Sequence, residues 1–146
     1  MQQEVVEIAR SWIGTPYRHQ ASHKGAGADC LGLIRGIWRS LYGGEPEALP
    51  GYSSDWSEAS GEERLWQAAM RHLIPRVPVL EAEEGDVLLF RMRDGSVAKH
   101  LGIFAFHQGL PSLIHAYQGH GVLECPLSGA IRRRIVARFA FPQRRS

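Results

Sequence analysis

Residues 27–44 read GADCLGLIRGIWRSLYGG, and the architecture turns on how this stretch is built. Asp29 has the chemistry of a helix N-cap or first-turn acid, placed just after a glycine-rich loop. Cys30, Ile34, Ile37, Trp38 and Leu41 then share one helical face. Gly43-Gly44 stops the helix. Gly32 and Gly36 lie four apart, so another segment can approach this helix closely. The stretch predicts an amphipathic helix with a thiol in its first turn.

Working outward, Val5, Ile8, Ala9 and Trp12 follow helical spacing, with Val6 and Ile13 widening the stripe. Gly14, Pro16 and Gly25-Ala26-Gly27 make the connection to Cys30 a loop. Residues 45–57 read as a polar loop with Pro46 and Pro50. Ser60-Gly61-Glu62-Glu63 fits a capping box ahead of the stripe Leu65, Ala69 and Leu73, and Pro75 and Pro78 end that helix. After it the period changes. Asp86 to Phe90, Leu101 to Phe106, Leu113 to Tyr117, Gly121 to Cys125 and Ile135 to Phe141 are short, apolar and β-branched or aromatic. Turn chemistry joins them at Asp94-Gly95, Gln108-Gly109, Gly119 and Ser128-Gly129. Helices first and closely joined strands after predict an α+β domain, with N-terminal helices packed on a C-terminal antiparallel sheet of about five strands. Neither a Rossmann alternation nor a phosphate-cradling glycine fingerprint fits.

The 146 residues suit one domain over 1–146. With 44% hydrophobic and 22% charged residues the chain is ordinary globular material, not a disordered one. Two cysteines, Cys30 and Cys125, exclude a disulfide-framed scaffold. No apolar run spans a bilayer. A net charge of +2 does not argue for nucleic acid. The charge is nevertheless uneven: Glu45 to Glu63 carries six acids and no base, and the last fifteen residues carry Arg132, Arg133, Arg134, Arg138, Arg144 and Arg145 and no acid. A solvated strand end plus a flexible tail over 142–146 accounts for the basic end; a docking surface for an acidic partner is the sharper alternative. The start, MQQEVVEIARSW, has acids at Glu4 and Glu7 and no sustained apolar core, so it does not read as an export signal.

Cys30 is the most informative residue. In the first turn of a helix, backbone N–H groups and the macrodipole favour a thiolate, and the loop ahead leaves room for a substrate. A small cysteine filling the core is the competing reading, and position alone leaves both open. In a hairpin turning near Gln108-Gly109, His100 and His115 become cross-strand neighbours. One imidazole can then act on the cysteine while the other orients it; two satisfied sheet histidines are the bland alternative. His19 and His23 precede Cys30 and read as solvated loop residues. Cys125 ends an alternating strand and reads as packing. No zinc-ligand spacing is present.

Gly14-Thr15-Pro16-Tyr17, Asp29-Cys30-Leu31-Gly32-Leu33, His100-Leu101-Gly102-Ile103 and Ile114-His115-Ala116 resemble, in order, the hallmark blocks of the NlpC family of papain-like cell-wall cysteine peptidases. The likeness runs from about residue 4 to 140. The bare single-domain form and the text DCLGLIRGIW resemble most the cell-wall peptidases encoded in phage and gene-transfer-agent tail clusters. The resemblance implies a papain-like fold, with Cys30 as nucleophile, His100 as general base and acid, and His115 as the residue that orients His100. It implies that Tyr17 lies beside the cysteine and helps shape the oxyanion site; an aromatic loop anchor is the alternative. Asp29 matches the acid before the nucleophile, and serves as cap, as site residue, or as both. No metal and no cofactor are implied. The implied substrate is the peptidoglycan stem peptide, often cut between the side-chain carboxyl of D-glutamate and the diamino acid. Many members carry a serine after the cysteine that holds the substrate's amino end; this chain has Leu31.

The expectation is therefore a cysteine peptidase on stem peptides. It is made in the cytoplasm without a signal peptide, carried by phage-like tail or baseplate proteins, and active in the periplasm or cell wall. A structural or wall-binding tail module and a thiol acyltransferase are the competing classes.

Overall fold

The computed structural model describes residues 1–46 and 63–144. The chain runs α1 (Gln2–Ser11), β1 (Ser22–His23), β2 (Gly27–Ala28), α2 (Cys30–Tyr42), α3 (Arg64–His72), β3 (Ile74–Arg76), β4 (Val87–Phe90), β5 (His100–His107), β6 (Leu110–Tyr117), β7 (Gly121–Pro126), α4 (Gly129–Arg132) and β8 (Ile135–Ala140). One antiparallel sheet has the order β3-β8-β4-β5-β6-β7, and β1 and β2 form a small ladder of their own. Helices on a mostly late antiparallel sheet are the expected α+β arrangement.

The sheet has two apolar faces because its strands alternate. Val87, Leu89, Leu101, Ile103, Ile114 and Phe139 pack with α1 and α2 through Val5, Ala9, Leu33 and Ile37. Leu88, Phe90, Phe104 and Leu113 form a second cluster, covered by Leu127, Ile131 and Ile135 among others. The two glycines of α2 do what their spacing suggests. A Cβ on Gly36 would stand 2.0 Å from the Trp12 ring, and one on Gly32 would stand 1.9 Å from the Ala21 carbonyl oxygen. Gly36 thus seats α1 on α2, and Gly32 lets the loop before Cys30 lie against the helix. Gly43 caps α2 with φ +87°, and its N–H donates to the Arg39 carbonyl.

Three local readings change. The sheet has a sixth strand, β3, where Pro75 and Pro78 suggest only a helix end. Pro75 lies in an edge strand opposite Phe139 of β8, a position where a missing N–H is tolerated. Residues 22–28, read as loop, contain the small β1–β2 pair. The capping box largely falls outside the described residues (60–62). Its last member, Glu63, stands at the N-cap position of α3 but makes no side-chain cap bond; its carboxylate accepts from the Ala98 N–H at 2.7 Å and pairs with Arg91 at 2.9 Å. The loop read at 45–57 is described only to Pro46. At the other end, Tyr42 donates its hydroxyl to the Pro142 carbonyl at 2.6 Å, and Arg144 pairs with Glu4 at 2.7 Å.

Asp86, just ahead of β4, and Arg138 of β8 form an ion pair at 2.8 Å, both side chains buried. Burial pushes the Asp86 carboxyl above its ordinary value, against the pull of the Glu83 N–H and the guanidinium. Arg138 also donates to the Pro78 carbonyl at 2.8 Å. Arg138→Met would strand a buried charge at a cost of about 3–5 kcal/mol. Arg138→Met with Asp86→Asn should recover part of that in urea unfolding; a double variant no more stable than the single would show that the charge is not the cause.

Candidate active site

Asp29 begins the site. Its Oδ1 accepts the Gly32 N–H at 2.7 Å, which makes it the N-cap of α2, and its Oδ2 accepts the Gln20 N–H at 2.7 Å. One buried carboxylate therefore ends the loop and starts the helix. Ala28, just before it, exchanges backbone bonds with Pro16 and Arg18 (Ala28 N–H to Pro16 O at 3.0 Å, Arg18 N–H to Ala28 O at 3.2 Å), which places Tyr17 beside β2. The block at 14–15 is held from its other side by β7, through Gly14 N–H to Val122 O at 3.0 Å and Val122 N–H to Thr15 O at 2.9 Å.

Cys30 thus stands at the first position of α2, against the start of β5. Its thiol donates to the Lys99 carbonyl at 3.7 Å, and the Leu101 N–H faces the same sulfur. The residues on both sides of His100 therefore touch the nucleophile candidate. The ladder between β5 and β6 begins only at Ile103, which leaves this backbone to meet Cys30.

His100 and His115 do come together, with His100 Nε2 2.7 Å from His115 Nδ1 and their rings edge to face. They are diagonal rather than direct cross-strand partners. The turn at Gln108-Gly109 has φ of +53° and +79°, a type I′ geometry, and it sets His107 opposite Leu110 and Ile103 opposite Ile114. Gly102 then faces His115: a Cβ there would stand 3.2 Å from that of His115. The small residue opens the diagonal along which the two imidazoles meet. With Nε2 of His100 engaged by His115, Nδ1 is the nitrogen left for a proton from another group.

Electrostatics make the resting site uncharged at its reactive atoms. Burial pushes the Cys30 thiol up to about 12, helped by the Asp29 charge, while the N–H groups of Leu101, Leu31 and Cys30 pull it down. The helix-start donors expected to favour a thiolate are present, but burial and Asp29 outweigh them. Burial, then the neighbouring His115, lowers His100 to about 3, and burial lowers His115 to about 4. Tyr17 is raised to about 12 by burial and by the charges that Cys30 and Asp29 can carry, so its hydroxyl keeps its proton and can donate.

The Lys99 carbonyl and the Leu101 N–H carry no side-chain signal and escape sequence reasoning. Cys125 packs against the second apolar cluster, as expected, and its Sγ also lies 3.4 Å from His115 Nε2. Counting back across the tight turn between β6 and β7 would have found it. His19 Nδ1 lies 3.8 Å from Asp29 Oδ2. Leu31 faces an apolar pocket with Ile34, Trp38, Leu73 and Leu101. Among the described residues, no cluster of three His, Cys, Asp or Glu is placed to hold a metal ion, and no helix is long and apolar enough to cross a membrane.

Comparison with known proteins places this geometry. The crystal structure of the NlpC/p60 domain of the peptidoglycan hydrolase SagA is similar over 97% of this chain and 99% of its own, with a TM-score of 0.63 and 22% identity. A lipoprotein-like NLP/P60 family protein of Staphylococcus aureus gives a TM-score of 0.61 and 18% identity over 98% of this chain. An NlpC/P60 family protein of Bacillus cereus gives 0.60 and 19% over 94%. The chain spans 42% and 39% of the length of those last two. At these identities the likeness is one of fold. No curated protein matches the chain. A model of the NlpC/P60 family matches residues 14–138, most of the sequence and every block described above, and the chain belongs to the NlpC/P60 family.

Proposed function

We propose that this chain is a cysteine peptidase that hydrolyses amide bonds in peptidoglycan stem peptides. Members of the family are generally cysteine peptidases or hydrolases, and SagA is named a peptidoglycan hydrolase. The observation that carries the reading for this chain is the thiol at the first turn of α2, touching the backbone on both sides of His100, while His115 occupies one nitrogen of that imidazole.

In this mechanism the Cys30 thiol passes its proton to His100 Nδ1 as the sulfur attacks the amide carbonyl. The resting groups are neutral, so charge forms during attack and not before. His115 receives the Nε2–H of the resulting imidazolium. The oxyanion meets N–H groups at the start of α2 and the Tyr17 hydroxyl; one well-aimed donor is worth roughly 3 kcal/mol. His100 then protonates the leaving amine as the C–N bond breaks. It next takes a proton from water, whose oxygen adds to the thioester and releases a carboxylic acid and the thiol. Asp29 holds the frame through its two backbone bonds. Leu31 offers no hydroxyl at the place where many relatives have serine, so recognition of a substrate's amino end is not expected there.

The text DCLGLIRGIW supports a finer reading: carriage by phage-like tail or baseplate proteins, with cleavage in the periplasm or cell wall of the cell being entered. A catalytically weak wall-binding module would keep the fold without the thiol chemistry, and an acyltransferase would leave a new amide or ester in place of a free carboxylate.

Defined muropeptides read by mass spectrometry test the activity. Cys30→Ala should abolish cleavage in a folded protein, and His100→Ala should come close to it. His115→Asn should keep more activity than His115→Ala, since an amide can still accept from His100; cleavage by folded Cys30→Ala would end the mechanism. Asp29→Asn removes a negative charge that raises the thiol pKa, so the midpoint of Cys30 alkylation by iodoacetamide should move to lower pH. An unmoved or higher midpoint would contradict that electrostatic account. For carriage, purified particles should contain the protein at a fixed small copy number; finding it only in the soluble cell fraction would contradict it.

A further inference from the structure

We propose that Cys125 is a positioning residue for the peptidase reaction, setting which nitrogen of His115 carries the proton and so whether its Nδ1 accepts from His100 or donates to it. The inference rests on the function proposed above and goes one residue beyond it.

The geometry is a three-member chain across three adjacent strands. His100 on β5 meets His115 on β6 through Nε2 and Nδ1 at 2.7 Å, and His115 meets Cys125 on β7 through Nε2 and Sγ at 3.4 Å. The register explains why the third member reaches. Leu113 is opposite Cys125 and His115 is opposite Leu123, so Cys125 is diagonal to His115 and on the same face of the sheet. Each imidazole thus has a diagonal partner on the next strand. Both nitrogens of His115 are occupied, and its orientation is determined from two sides.

The protonation bookkeeping gives the thiol its role. When His100 takes the Cys30 proton at Nδ1, its Nε2–H needs an acceptor, so His115 Nδ1 must present a lone pair. The single proton of a neutral His115 then sits on Nε2 and points at Cys125, whose sulfur accepts it. In the other tautomer His115 donates from Nδ1 to His100, and Nε2 accepts the Cys125 S–H. Of the two, the Nε2–H tautomer is the one the reaction uses; the sulfur, a weak acceptor as well as a weak donor, receives that proton and holds it on the nitrogen away from His100. A carboxylate in its place would favour a charged His115. The surroundings instead favour neutral forms: burial lowers His115, and burial with the adjacent Glu124 raises Cys125. Glu124 itself faces away, bonded to Arg10 and Ser112. A serine retains the donor and the acceptor, whereas alanine retains neither.

The test is a set of variants read two ways. Cys125→Ala should lower kcat on muropeptides about 2–10-fold, the rate equivalent of one ordinary hydrogen bond, with KM and Tm little changed. Cys125→Ser should recover most of the loss. In a His115→Ala background, Cys125→Ala should add no further loss, because its only route is through that ring. The second reading needs no substrate: 15N chemical shifts of the His115 ring should show one dominant tautomer in the wild type and in Cys125→Ser, and a mixed one in Cys125→Ala. Unchanged ring shifts in Cys125→Ala would overturn the proposal, as would an equal kcat loss with and without His115, or a serine variant no better than alanine. If stem peptides are not cut at all, the peptidase reading fails while the ring shifts still decide the role of Cys125.

Discussion

The Asp29 carboxylate accepts the Gly32 N–H and the Gln20 N–H at 2.7 Å each, and the rest of the site depends on those two bonds. One caps α2 and so fixes where the helix begins. The other ties down the loop that carries Tyr17. Between them Cys30 has a single place to stand, and Gly32 and Gly36 let the loop and Trp12 close against the helix without a Cβ in the way. The same charge works against the thiolate, because a carboxylate beside the sulfur raises its pKa. Position is gained and ionisation is lost. In the proposed mechanism the difference is made up by moving the proton during attack instead of storing an ion pair.

In that proposed mechanism the histidines are relays and not resting cations. Their rings lie on the sheet face of the second apolar cluster, with Phe90 beside His100, and burial keeps both neutral. A neutral imidazole can accept at Nδ1 only if its Nε2 partner tolerates the proton that remains. His115 does so because its own second nitrogen has Cys125. The sheet supplies this order: three consecutive strands each contribute one polar side chain on successive diagonals, in a region otherwise filled by Leu88, Phe104 and Leu113.

Much of this was legible in the sequence where local chemistry decides structure. Asp29 followed by an apolar stripe and Gly43 bounds a helix by capping alone, and the strands from β4 to β8 announce themselves as short apolar, β-branched or aromatic runs between turn residues. The meeting of His100 and His115 was visible too, but as direct partners. The two positive-φ residues of a type I′ turn move its centre one residue further on and the strand pairing by two, which keeps both rings on one face, and only the gap at Gly102 turns the offset into a contact. The sixth strand was hidden because Pro75 reads as a breaker, and only its edge position lets it pair. Glu63 reads as the end of a capping box, but a tertiary partner, the Ala98 N–H, outcompetes the local cap. Lys99 and Leu101 take part through their backbone, which no residue identity betrays. Cys125 reads as packing alone because its second partner, His115, is set by pairing between β6 and β7 and not by its own neighbourhood.

The central claim is that Cys30 bonds covalently to the acyl half of a stem peptide. Quenching the protein in acid during turnover, digesting it and weighing the peptide that carries Cys30 reads this directly. The account predicts a mass increase equal to the acyl fragment on that peptide, absent when His100 is intact but Cys30 has been alkylated beforehand. Turnover with no adduct on any residue, or an adduct on Cys125 in place of Cys30, would contradict it.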